Sequence, residues 1–99
     1  MQQPPSMHGQ PTELSAAEKI VLDLYGEDAQ EGDCLWGGNM MAGFGRARTA
    51  GISLDEYNFA GDTLVRDGYI EPLAGNSYRL THKGLTAKTS GRKGVSLPA

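Results

Sequence analysis

Apolar residues recur along this chain at two different periods, and the change of period marks its elements. From Thr12 to Tyr25, Ala17, Ile20, Val21, Leu24 and Tyr25 fall on one side at helical spacing, with Leu22 off that face. Ser15, followed three residues later by Glu18, predicts a capping box at the start of this first helix, and Gly26 predicts its stop. The stretch from Glu27 to Gly38 is polar and glycine-bearing. Its one apolar segment, Cys34-Leu35-Trp36, predicts a short strand, with Trp36 as a core anchor because large aromatics dominate small cores. Asn39 then predicts the cap of a second helix, Met40 to Thr49, striped by Met41, Phe44 and Ala47 or Arg48. Gly43 and Gly45 inside it cost about 1 kcal/mol each against alanine. Such a helix needs tertiary packing, or its glycines admit a close neighbour.

Ala50-Gly51-Ile52-Ser53 predicts a tight turn, and Ser53 with Glu56 a second capping box. The third helix, Leu54 to Asp67, places Leu54, Tyr57, Gly61, Leu64 and Val65 on a core face, with Ala60 at its edge. Asp55, Phe59, Asp62, Thr63 and Arg66 fall opposite. After Gly68 the period changes to two. Tyr69 to Leu73 and Ser77 to Thr81 read as strands around the turn residues Ala74-Gly75-Asn76. Pro72 lacks an amide donor and predicts a sheet edge or a strand end. Gly84 closes the unit, and Leu85 to Lys88 adds a short helical turn. The fold class is therefore α+β: three helices and a two- or three-stranded sheet in one domain, residues 12–88. The Gln-, Pro- and Gly-rich residues 1–11 read as a disordered leader, and residues 89–99 as a flexible basic tail.

Composition narrows the setting. The 99 residues carry a net charge of −3 and are 38% hydrophobic. No apolar run approaches the roughly 20 residues that span a bilayer, and the N-terminus lacks the basic start and apolar centre of a signal peptide. A lone cysteine, Cys34, makes no internal disulfide, so the expected location is cytoplasmic. Charge is unevenly spread. Glu13, Glu18, Asp23, Glu27, Asp28, Glu31 and Asp33 face a single base, Lys19, in the first 45 residues. Arg79, Lys83, Lys88, Arg92 and Lys93 stand without an acid in the last 21.

The order helix, turn, helix, hairpin is that of a winged helix-turn-helix. Leu64-Val65-Arg66-Asp67-Gly68-Tyr69-Ile70, and then Tyr78-Arg79-Leu80-Thr81-His82-Lys83-Gly84, resemble winged-helix regulators of the MarR and PadR types. The resemblance covers about Thr12 to Gly84. It implies a DNA-binding, transcription-regulatory domain whose third helix enters the major groove while the wing and second helix touch backbone. The third helix departs from that pattern with Asp55, Glu56, Asp62 and Asp67 against one base, Arg66. The second helix is rich in small residues, and long dimerisation helices are missing.

Candidate sites follow. Arg46, Arg48, Thr49, Asn76, Arg79, His82 and Lys83 are the expected phosphate contacts, and Asn58 and Arg66 carry base-reading chemistry. Lys88, Arg92 and Lys93 could extend a basic arm. The competing reading pairs the arginines with carboxylates of the same domain. Phe59, flanked by Asp55 and Asp62, is the candidate protein-partner anchor, unless it packs under a loop or the tail. His8 and His82 lie far apart, and no Cys/His/Asp spacing matches a metal site. Gly43-Phe44-Gly45-Arg46 lacks the lysine and strand context of a phosphate loop. Cys34 stands among acids, a poor setting for a nucleophile. No enzyme activity, cofactor, metal or small-molecule substrate is expected. The leading expectation is non-catalytic binding of duplex DNA. The alternative is a protein-interaction module using the acidic third helix, and a remoter one is an acidic decoy competing with DNA for a basic protein.

Overall fold

The computed structural model describes residues 12–93 and is α+β. In chain order it contains β1 (Thr12–Glu13), α1 (Ala16–Asp23), β2 (Cys34–Trp36), α2 (Gly37–Ala42), α3 (Phe44–Thr49), α4 (Leu54–Arg66), β3 (Ile70–Leu73), β4 (Ser77–Leu80), α5 (His82–Ser90) and β5 (Arg92–Lys93). Strands β2, β4 and β3 form an antiparallel sheet in that order, and β1 pairs with β5. The core is centred on Val21, Leu22, Leu64, Ile70 and Leu80.

Local signals place several boundaries. Ser15 Oγ accepts from the Glu18 amide at 3.1 Å, while Glu18 accepts from the Ser15 amide at 2.9 Å. Ser53 and Glu56 repeat the arrangement at 3.1 and 3.4 Å. Gly51, at φ +81°, turns the chain between α3 and α4. Gly75 and Asn76 both take positive φ in the hairpin turn, and Pro72 lies on edge strand β3. The short strand at 34–36 pairs with β4, Cys34 opposite Arg79 and Trp36 opposite Ser77.

Elsewhere tertiary packing overrides the pattern. The first helix begins at Ala16, because Ser15 is an extended cap and Thr12–Glu13 is drawn into a ladder with Arg92–Lys93. Leu22, off the predicted face, is fully buried, because α1 is packed by α3, α4 and α5 together. The second helix is two helices, and Asn39 lies inside α2 rather than capping it. The joint, Gly43, is a close approach: a Cβ there would lie 2.5 Å from Tyr57 Oη and 2.6 Å from a Leu24 methyl. Gly45 has open space beside it. In α4, Thr63 is only 7% exposed where the apolar pattern put it outside, whereas Leu54, expected inside, is exposed.

Trp36 is 60% exposed and not a core anchor. Strand alternation turns Cys34 and Trp36 outward together, and the indole lies over Gly38 instead. The expected short turn at Leu85–Lys88 is a nine-residue helix, His82–Ser90. Thr81 caps it by accepting from the Gly84 amide at 3.0 Å. Gly84 thus sits within the helix, pressed on the Tyr69 carbonyl and Leu80, with no room for a side chain. Thr89 and Ser90 are helical, and Arg92–Lys93 is a strand rather than part of a free tail. The leader at residues 1–11 and the tail beyond Lys93 lie outside the described residues.

Candidate interaction site

Two tyrosines fix the surroundings of helix α4. Tyr57 donates to the Met40 carbonyl at 2.6 Å and packs against the Phe44 ring at 5.7 Å, tying α4 to α2 and α3. Tyr25 donates to the Tyr78 carbonyl at 2.9 Å, tying the end of α1 to the sheet. Burial pushes the Tyr25 phenol far above its ordinary value, with nearby Cys34 and Tyr78 adding to the shift. Burial also raises Tyr57, partly offset by the Arg46 guanidinium. Both rings are therefore neutral struts at physiological pH.

Two concavities flank α4. The first, about 230 Å3, lies between α2, α4 and the β3–β4 hairpin. Its apolar walls include Met40, Met41 and Val65, and its polar lining includes Asn58, Asp62 and Asn76. Asn58 and Asp62 are one helical turn apart and share a side of α4. The Asn76 amide rests against the Gly37 α-carbon, where a Cβ would come within 2.5 Å of it. Among the described residues, the side chains of Asn58, Asp62 and Asn76 make no hydrogen bond or ion pair. The second concavity, a groove of about 530 Å3 between α1 and α4, is lined by Glu18, Phe59, Thr63 and Lys93 among others. Here Lys93 Nζ stands 2.5 Å from Glu18 Oε2. The Thr63 hydroxyl oxygen is buried without a partner among the described residues.

Most expected phosphate contacts have partners within the domain. Arg79 pairs with Glu71 across the hairpin, and Arg66 pairs with Asp67 at 3.2 Å. His82 Nδ1 lies 3.2 Å from Glu31. Lys83 donates to the Asp67 carbonyl at 2.7 Å and stands 4.6 Å above the Tyr69 ring. Thr49 donates to the Gly45 carbonyl at 3.0 Å. Arg46 and Arg48, both on α3, are exposed and make no ion pair among the described residues. The structure thus gathers Asn58, Asp62 and Asn76 into one cleft, while the expected cations are dispersed over α3, the end of α4, the hairpin and α5.

Phe59 is 67% exposed and Asp55 is exposed beside it on α4. Leu22, the other off-face apolar residue, is buried and unavailable to a partner. Sequence reasoning missed two exposed apolar residues near the cleft, Trp36 and Met41, the latter 62% exposed. Alternation along 34–36 was the available signal for Trp36. Met41 carried none, because the apolar stripe of the second helix placed it inside. Among the described residues, no group of three metal-ligating side chains is gathered, and no helix is long and apolar enough to cross a membrane. No family model matches the chain, and neither a curated protein nor a solved structure shows significant similarity to it.

Proposed function

We propose that the chain is a winged-helix module that docks on a protein partner through the outward face of α4. The element order supports the winged-helix part: helix, strand, two short helices, turn, helix, hairpin, with the first of these strands pairing to the return strand of the hairpin. The observation that carries the partner reading is the outward face of α4. It presents Asp55 and Asp62 without ion pairs among the described residues, and Phe59 two-thirds exposed between them.

A groove-reading helix must lie between two phosphate backbones, where unpaired carboxylates are repelled and affinity is carried by cations. The exposed Arg66 and Arg79 pairs are worth only about 0–1 kcal/mol each, so they could open toward phosphate. Opening them would release Asp67 and Glu71 beside the same duplex. A protein surface with an apolar socket and a basic rim suits the face better, since exposed aromatics anchor interfaces and complementary charge directs encounter.

A second reading, duplex DNA binding through backbone contacts of α3, is favoured by the exposed and unpaired Arg46 and Arg48. One pair of measurements separates the two. In affinity capture followed by mass spectrometry, wild type retains a defined protein, and Phe59→Ala, with an unchanged unfolding temperature, does not. Titration with duplex DNA at low salt gives no saturable binding. Saturable binding that falls steeply with salt and disappears in an Arg46→Ala/Arg48→Ala double variant overturns the partner reading and establishes the second.

A further inference from the structure

We infer that the cleft between α2, α4 and the hairpin receives an arginine side chain from the partner, an assignment that rests on the protein-docking reading. The cleft is rich in acceptors. It holds one carboxylate, Asp62, and two carboxamides, Asn58 and Asn76, and none of the three is used within the domain among the described residues. A carboxylate is an acceptor only, and each amide can turn its oxygen inward. The Asp62 carboxylate therefore opposes phosphate and carboxylate and, with the amide oxygens turned inward, attracts a donor-rich cation.

Size points the same way. Cofactor and drug-sized pockets span about 300–1,000 Å3, and this cleft offers about 230 Å3, the scale of one large side chain. Met40, Met41 and Val65 line a path for an aliphatic stem. Methionine adapts its shape to such a guest. A guanidinium suits the head position better than an ammonium. It is planar, presents five donors, and is more weakly hydrated, so entering a half-apolar cleft costs it less. Met41 and Trp36, both exposed on or beside α2, offer contact area for an apolar neighbour of that arginine in the partner chain.

The test titrates the 15N-labelled full chain with a blocked Leu-Arg-Leu tripeptide and with its citrulline counterpart, which keeps the shape and removes the charge. With the arginine peptide, the backbone amides of Gly37, Gly61 and Asp62 and the side-chain amides of Asn58 and Asn76 shift together on one binding curve. The citrulline peptide binds about tenfold more weakly, as the loss of a charge-assisted pairing requires. Asp62→Asn, with unchanged unfolding, weakens the arginine peptide to the citrulline level. Equal binding of the two peptides, shifts that avoid Asn58 and Asn76, or no response at all overturns the inference. If the arginine response is absent while Phe59→Ala still abolishes partner capture, only the arginine assignment falls. If low-salt duplex binding appears, the docking reading itself falls.

Discussion

The carboxylates on the two flanks of α4 are treated in opposite ways. On the side facing α1, Glu18 is 5% exposed and its carboxylate is engaged by the Ser15 amide at 2.9 Å and by Lys93 at 2.5 Å. On the side facing the hairpin, the Asp62 carboxylate and the Asn58 and Asn76 amides line an open cleft with no partner in the domain among the described residues. A buried charge must be paired, because stripping it of water costs several kcal/mol. A solvated one can wait for a ligand at no such cost. The Glu18 pair therefore contributes to stability, and the Asp62 carboxylate is free to contribute to binding.

The sharpest way to break that contrast is to force open the packed side. Gly84→Ala drives a Cβ into the Tyr69 carbonyl, a backbone atom that cannot step aside. A loss of about 3 kcal/mol or more is expected, which lowers the unfolding temperature of a domain this size by at least about 12 °C. Gly43→Ala meets side-chain rather than backbone atoms, Tyr57 Oη and Leu24 methyls, and costs less, although it strains the Tyr57 hydrogen bond to Met40. Gly45→Ala meets nothing and gains up to about 1 kcal/mol. Calorimetry of the three variants should rank them in that order.

Next is the buried ion pair. Lys93→Met leaves Glu18 without its cation and should cost about 1–3 kcal/mol in urea unfolding. A neutral result would mean that the first flank depends on apolar contact alone.

Alkaline pH probes the strut at the end of α1. The folded Tyr25 phenol holds its proton to higher pH than the unfolded one, whose pKa is about 10. Its contribution is thus fully present below about pH 10 and is lost as pH rises further, because the unfolded chain releases a proton that the folded chain keeps. Tyr25→Phe should flatten the decline of stability measured above pH 10. It should also lower stability at neutral pH by about 1 kcal/mol, through loss of the hydrogen bond to the Tyr78 carbonyl.

The smallest effect on stability belongs to the second flank. Asp62→Asn should stay within about 0.5 kcal/mol of wild type, because the carboxylate has no partner to lose. A larger change in either direction would show that Asp62 is part of the scaffold and would remove the contrast between the flanks.

Boundaries written in i to i+3 chemistry were legible. Both capping boxes, the turn at Gly51 and the hairpin around Gly75-Asn76 depend on neighbours in the chain, so residue type and spacing suffice. The run Thr81-His82-Lys83-Gly84 was legible as a signature but not as a structure. Its threonine caps α5, and its glycine lets that helix touch the Tyr69 carbonyl. The candidate site was half legible. Asn58, Asp62 and Asn76 were each singled out, but for three different roles: base reading, partner docking and phosphate contact. Their convergence depends on how far the hairpin folds toward α4, which no local signal encodes.

By itself, the sequence determined the α+β class, the turn between α3 and α4 and the acidic outward face of α4, since each follows from residue type, spacing or charge along one segment. Only the tertiary structure decided that Leu22 and Thr63 are inside, that Trp36 and Met41 are outside, and that Arg92–Lys93 closes against Thr12–Glu13. It also decided that Lys93 serves Glu18 while Asp62 is left to solvent. Burial and pairing are properties of two surfaces meeting, and a single segment carries only one of them.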